Sequence, residues 1–89
     1  MKEGDLLSQE ISELIRGILS GKDISRIARS SMMSASLLSQ ILYQQTGLTK
    51  KNIVAVNKLI EESIERAKQR EVEFANKRKV LERILSSIS

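Results

Sequence analysis

The chain has 89 residues, and its 15 basic and 11 acidic side chains give a formal net charge of +4. This length is enough for one domain with a small core, which a dimer would help to complete. The sequence contains no Cys and no His, which excludes thiolate chemistry, imidazole catalysis and the usual zinc sites. We therefore expect no enzyme, no cofactor and no bound metal.

The composition also predicts the fold class. The chain has no Pro and four Gly, and its apolar residues recur at helical spacing, so we predict an all-α protein. No apolar run reaches the length of a membrane span, and the N-terminal residues MKEGDLL lack the order of a signal peptide. We expect a cytoplasmic protein without a membrane partner, and the sequence indicates no small-molecule ligand.

Apolar residues at helical spacing predict a first helix near the N-terminus. Asp5 or Ser8 is suited to cap this helix, which we expect to end near Gly21. The residues expected to face inward are Leu7, Ile11, Leu14, Ile15 and Ile18.

The next segment, 23–45, predicts two short helices joined by a turn. Asp23 is a candidate N-cap for a second helix, which covers Ile24 to about Ser31. A third helix follows and stops before Gly47. Its candidate caps are Ser34 and Ser36, and its expected last residue is Gln45.

This segment has the apolar pattern of a helix-turn-helix. In a window of twenty residues from Ile24, the places where two crossed helices must pack hold Ile27, Ala28, Met33, Leu38 and Ile41. The ninth place, usually Gly because the backbone there is left-handed, holds Met32. That conformation costs an L-residue about 1–2 kcal/mol, so we expect the turn to be longer or differently wound.

The two faces of the third helix separate clearly at about 100° per residue. Leu38, Ile41 and Leu42 form the stripe expected to be buried, with Leu37 at its margin. The opposite face carries hydrogen-bonding side chains, none of them acidic, and these are suited to contact base edges or phosphates. The candidate base-contacting residues are Ser34, Ala35, Ser36, Ser39, Gln40, Tyr43 and Gln44.

The basic charge is concentrated around this segment. Residues 1–20 have a net charge of −2 and residues 21–52 a net charge of +4, and Asp and Glu are absent from Ile24 through Val56. Basic side chains neutralise phosphates, so we expect clamps on a nucleic-acid backbone here. The candidate phosphate contacts are Lys22, Arg26, Arg29, Lys50 and Lys51.

A fourth helix is predicted to begin at Thr49 and to meet no breaker before the end of the chain. The residues expected to face inward are Ile53, Val56, Leu59, Ile60 and Ile64. Beyond them, apolar residues recur every seven positions, but charged residues interrupt the companion row, which argues against a continuous coiled coil. This end either forms a dimer interface or packs on its own domain. The predicted interface residues are Phe74, Leu81, Ile84, Leu85 and Ile88.

From Leu14 to about Glu62, the chain resembles the lambda-repressor-like, or Cro-type, helix-turn-helix domains of phage and plasmid repressors. The resemblance lies in the blocks IARSSMM and LLSQIL, with a helix before them and a helix after them. It implies a helical domain that binds an operator as a dimer in a bacterial or viral host cell. By position, it implies DNA contacts from Ser34, Ala35, Ser36, Ser39, Gln40 and Tyr43. Met32 and Ser31 depart from the family's pattern.

These observations predict a sequence-specific DNA-binding transcriptional regulator, repressor-like, that binds double-stranded DNA as a homodimer. We assign residues 1–64 to the DNA-binding domain, with the helix-turn-helix at 23–45, and residues 65–89 to a dimerisation helix. One alternative is an all-α protein interaction module, such as an adaptor or an inhibitor of a regulator. Another is a partition or transposition accessory protein that coats DNA.

Overall fold

A computed structural model describes residues 2–88, except for the side chain of Ile88. In this range the chain forms four helices and no strand: α1 (Gln9–Ile18), α2 (Gly21–Ser30), α3 (Ala35–Leu42) and α4 (Lys50–Ile88). The predicted all-α class, with four helices and a C-terminal helical extension, is confirmed. No helix of the described range has both the length and the apolar character needed to cross a membrane.

The first two helices are joined more tightly than the sequence predicts. Ser8 is the N-cap of α1, one of the two predicted caps, and its Oγ accepts from the N–H of Ile11. The predicted end near Gly21 is wrong, because α1 ends at Ile18 and the backbone is extended at Leu19. Ser20 then begins the next helix, so Gly21 is already its first residue.

The predicted N-cap of α2 is also wrong, because Ser20 caps this helix and Asp23 lies at its third position. The Ser20 Oγ accepts from the N–H of Asp23, and the carboxylate of Asp23 accepts from the N–H of Ser20 at 2.9 Å. This reciprocal capping box satisfies two backbone donors that would otherwise lack partners in the helix. The helix therefore starts three residues earlier than predicted.

The turn between α2 and α3 has the left-handed residue that the motif requires. Met32 has φ of 56°, so the expectation of a longer or differently wound turn is wrong. The N–H of Met33 donates to the carbonyl of Ala28, and that of Met32 to Arg29. These two bonds form a Schellman motif, which closes the C-terminus of α2 and offsets the cost of the left-handed backbone.

Helix α3 ends at Leu42, so the prediction that it continues to Gln45 is wrong. Ser34 is its N-cap. Gln44 has φ of 63°, and the N–H of Gln45 donates to the carbonyl of Gln40. A second Schellman motif therefore ends the helix before Gly47 is reached.

Gly47 allows a close backbone approach between the loop after α3 and the N-terminal segment. A Cβ at this position would lie 3.0 Å from the carbonyl oxygen of Gly4. Next to it, the N–H of Gly4 donates to Leu48, and the N–H of Leu48 donates to Asp5. These bonds fasten the N-terminal segment to the loop that leads into α4.

The core lies between the helix-turn-helix, α1 and the first part of α4. The five predicted packing places face this core, with four of them buried and Met33 partly buried. The predicted stripe of α3 is confirmed, because Leu38, Ile41 and Leu42 have no exposed surface. The buried apolar residues are Leu7, Ile15, Leu19, Ile24, Ile27, Ala28, Leu38, Ile41, Leu42, Leu48, Ala55, Val56 and Leu59.

Helix α4 has a packed first part and an exposed second part. Thr49 and Asn52 exchange hydrogen bonds between side chain and backbone at its start. Val56 and Leu59 are buried as predicted, but Ile64 is 49% exposed, since it lies at the edge of a groove beside α1. Leu14 of α1, also predicted to face inward, lines the same groove and is 57% exposed.

Candidate nucleic-acid interface

The exposed face of α3 carries three of the predicted base-contacting side chains. Ser36 and Gln40 are exposed and Ser39 is half-buried, on the side of the helix away from the buried Leu38. The Gln40 Oε1 accepts a hydrogen bond from the Thr46 hydroxyl at 3.4 Å. A Gln in this position presents the donor and acceptor pair that suits adenine.

The other predicted base contacts have structural partners. The Ser34 Oγ accepts from the N–H of Leu37 at 3.0 Å as the cap of α3. Ala35 is half-buried and packs against the core. Gln44 donates through Nε2 to the carbonyl of Leu7 at 2.8 Å, which ties its amide to the N-terminal segment. The side chains of Ser34 and Gln44 therefore hold the position of α3 in this structure.

Tyr43 and Arg16 form a contact that sequence reasoning missed. The guanidinium carbon of Arg16 lies 4.8 Å from the centre of the Tyr43 ring, and Tyr43 is 54% exposed. Arg16 reaches this place because α1 and α3 are joined by a buried bond from the Ser12 hydroxyl to the carbonyl of Leu42. Arg16 therefore adds a positive charge from α1 beside the exposed surface of α3. No local pattern in the sequence indicates this contact.

The basic residues of α2 line one groove on its surface. Lys22, Arg26 and Arg29 are exposed and line it together with Gly21 and Ser25. Arg26 is already paired, because its Nη2 lies 2.8 Å from Glu62 and 3.4 Å from Asp23. A phosphate at Arg26 would have to compete with two carboxylates, whereas Lys22 and Arg29 form no ion pair with any residue that the structure describes.

Of the two basic residues at the start of α4, Lys51 lies close to the first turn of α3. Lys50 and Lys51 are both exposed. Lys51 lines a shallow cavity of about 280 Å³ together with Met33 and Leu37. The side chain of Lys51 thus borders the first turn of α3, where basic charge and helix polarity both favour an anion.

Asp23 joins α2 to α4 and is the most perturbed acid of the described residues. Its pKa is held well below the ordinary value, chiefly by the hydrogen bond from the Ser20 N–H, with further contributions from the guanidinium groups of Arg66 and Arg26. Burial opposes this effect. The carboxylate is therefore charged at neutral pH and has a structural role behind the basic groove.

The predicted dimerisation residues lie on the exposed second part of α4. Phe74, Leu81, Ile84 and Leu85 are 50–69% exposed, and the side chain of Ile88 lies outside the described residues. At the beginning of this end, Arg66 contacts Asp23 of α2 and Arg70 donates to the carbonyl of Ile18, whereas the predicted interface side chains farther along are exposed. The helix crosses the predicted boundary between residues 64 and 65 without interruption.

Within residues 2–88, the acidic side chains form no cluster that could hold a metal ion. Comparisons of the chain with protein-family models, with curated proteins and with solved structures find no match. The resemblance to the lambda-repressor-like domains thus remains a prediction from the sequence pattern.

Proposed function

We propose that this protein is a sequence-specific DNA-binding regulator of the repressor type, which places α3 of each of two subunits in the major groove of an operator. Occupation of that site would exclude another protein from the same DNA. The protein would act in the cytoplasm of a bacterial or viral host cell.

The observation that carries the proposal is the left-handed Met32 at the ninth place of the helix-turn-helix window. An L-residue adopts this conformation at a cost, so the turn is held by the packing of the two helices around it. Ala28, at the crowded fifth place, is fully buried, as close contact of two crossed helices requires. The backbone at Met32 and the packing at Ala28 therefore both support a helix-turn-helix in which α3 is the recognition helix.

The chemistry of the exposed surface supports the same proposal. Ser36, Ser39 and Gln40 are hydrogen-bonding groups without charge, which suits the reading of base edges. Lys22, Arg29 and Lys51 surround the motif with exposed positive charge, which suits phosphate contacts. We expect Arg26 to contribute less, because Glu62 and Asp23 already neutralise it.

A protein interaction module is the second candidate, and the exposed apolar residues of α4 favour it. Phe74 and Leu81 are each about two thirds exposed, as is usual for surfaces that bind a protein. A homodimer accounts for these residues within the DNA-binding proposal. The two candidates differ in whether the protein binds DNA at all.

The test is a fluorescence-polarisation titration of the protein with random duplex DNA at salt concentrations from about 50 to 200 mM, where a few phosphate contacts change affinity steeply. We expect binding that weakens as salt rises. A double variant, Lys22→Ala with Arg29→Ala, should weaken binding to all sequences and lower the salt slope by about two.

The matched control is Lys68→Ala with Lys79→Ala, which removes the same charge from the exposed second part of α4. It should bind DNA nearly as the wild type does. If the wild type fails to bind at the lowest salt, or if both double variants lose the same affinity, the helix-turn-helix is not a DNA-binding surface.

A further inference from the structure

One apolar surface runs along the side of the molecule, from a groove between α1 and α4 to the exposed end of α4. The groove has a volume of about 320 Å³ and is bordered by Leu14, Ile18 and Ile64. A second cavity, of about 540 Å³, continues it along α4 as far as Phe74 and Arg78. Ile18 and Ala67 line both cavities, which makes the surface continuous.

The end of α4 has the same apolar character, and its described apolar side chains are about half to two thirds exposed. At 3.6 residues per turn, Leu81 and Leu85 lie on the same face as Phe74. Leu81 is 66% exposed. The molecule therefore has a groove between α1 and α4 at one end of its long axis and the exposed apolar end of α4 at the other.

We propose that two copies of the chain pair through antiparallel α4 helices, so that the exposed end of each α4 lies in the α1–α4 groove of the other copy. This inference rests on the homodimer in the proposed function and adds its orientation. In this pairing, each of the two core positions of the heptad faces the other core position on the partner helix. Ile64 therefore lies opposite Leu81, and Ile60 lies opposite Leu85. The same surface serves in both copies, as two-fold symmetry requires.

Two charged residues in the middle of this face decide the orientation. The line of contact between the two α4 helices forms a seam that is shielded from water. In a parallel pair, Glu71 faces Glu71 and Arg78 faces Arg78 across this seam, so like charges meet there. In the antiparallel pair, Arg78 faces the small Ala67 and lies about 6 Å along the axis from Glu71 of the other copy. An arginine side chain spans that distance and can pair with the carboxylate.

Charges at the edge of the seam give a weaker preference in the opposite direction. A parallel pair brings Lys77 near Glu82, whereas an antiparallel pair brings Arg70 near Lys77. Exposed pairs of this kind contribute little to stability, whereas like charges at a shielded seam cost much more. The seam therefore outweighs its edges.

The orientation has a consequence for DNA. The two-fold axis passes near Val72 and Glu73, and Val56 in the core of each domain lies about 25 Å from it along α4. The two domains would be about 50 Å apart along α4, so this dimer requires half-sites that are farther apart than the 34–36 Å of one helical turn. A parallel pair would instead place the two domains side by side.

The absence of Cys in the chain allows a direct test by disulfide cross-linking. Tagged Ile64→Cys protein is mixed with untagged Leu81→Cys protein, oxidised and separated by size. We expect the mixed tagged–untagged dimer to exceed either self-linked dimer by about tenfold. Val72→Cys, on the opposite face of α4, is the matched control and should give little product when mixed with Ile64→Cys.

Sedimentation of the wild type and of Leu81→Asp provides a second measurement. An unpaired charge in this contact should weaken the dimer by about 100-fold, whereas Val72→Asp should leave it unchanged. Self-linked Leu81→Cys as the main product, or a wild type that is monomeric at high concentration, would overturn the proposal. Neither measurement uses DNA, so its failure is distinct from failure of the DNA-binding proposal.

Discussion

The guanidinium of Arg66 lies 3.0 Å from the carboxylate of Asp23, which joins the middle of α4 to the first turn of α2. Asp23 also closes the capping box with Ser20 and contacts Arg26. One carboxylate therefore helps to cap the first turn of α2 and also fixes that helix against α4.

Replacement of Asp23 should destabilise the protein and change its acid sensitivity. We expect Asp23→Asn to lower the free energy of unfolding by about 1–2 kcal/mol at pH 7, since a cap and an ion pair are lost together. The pKa of Asp23 is lowered in the folded protein, so the unfolded chain binds more protons in acid and stability falls as pH falls.

This contribution is fully present above the pKa of an unfolded Asp, about 3.9, and is lost as pH falls from there towards the lower folded value. The difference between wild type and Asp23→Asn in urea denaturation should therefore shrink below about pH 4. Glu61→Gln, at an exposed position of α4, is the control and should change stability little. A difference that stays constant down to pH 2 would contradict the assignment.

The left-handed Met32 predicts that a glycine would stabilise the turn. Met32 is 87% exposed, so its replacement loses little buried surface. Relief of the backbone cost should make Met32→Gly more stable by about 1 kcal/mol, while the β-branched Met32→Val should be less stable. Thermal denaturation measures both variants, and a destabilised Met32→Gly would show that the Met side chain itself holds the turn.

Gln44 offers a comparison, because it has the same backbone conformation but a bonded side chain. Gln44→Gly relieves the backbone and also removes the hydrogen bond to the carbonyl of Leu7. The two effects are each about 1 kcal/mol and opposite in sign, so we expect little net change in the free energy of unfolding. A gain as large as that of Met32→Gly would mean that the bond to Leu7 contributes nothing.

Local features of the fold were predictable from the sequence, whereas contacts between distant elements were not. The stripe of Leu38 and the cap at Ser8 follow from periodicity and side-chain chemistry within a few residues. The cap of α2 was misassigned because Ser20 and Asp23 are both good N-caps when considered alone, and only the reciprocal bonds distinguish them. The Arg16–Tyr43 contact depends on how α1 crosses α3, which no short segment encodes.

The hydrogen bond of the buried Ser12 hydroxyl is another contact between distant elements, and its removal should measurably lower the free energy of unfolding. It donates to the carbonyl of Leu42, which links α1 to the last turn of α3. Ser12→Ala leaves a buried carbonyl without this donor, so we expect a loss of about 1–3 kcal/mol in the free energy of unfolding. Ser36→Ala, on the exposed face of α3, is the matched control for stability, and an equal loss in both variants would refute the role of the buried bond.

The exposed face of α3 gives a prediction about sequence discrimination, provided that an operator has been selected. Gln40→Ala should reduce discrimination at one base pair by about 1–3 kcal/mol, because a pair of hydrogen bonds to an adenine is lost there. Lys51→Ala should weaken binding to operator and random DNA alike, because a phosphate contact carries no sequence information. Competition titrations with operators changed at single base pairs measure the difference. If Gln40→Ala instead weakened all sequences equally, α3 would contact the DNA backbone rather than the bases.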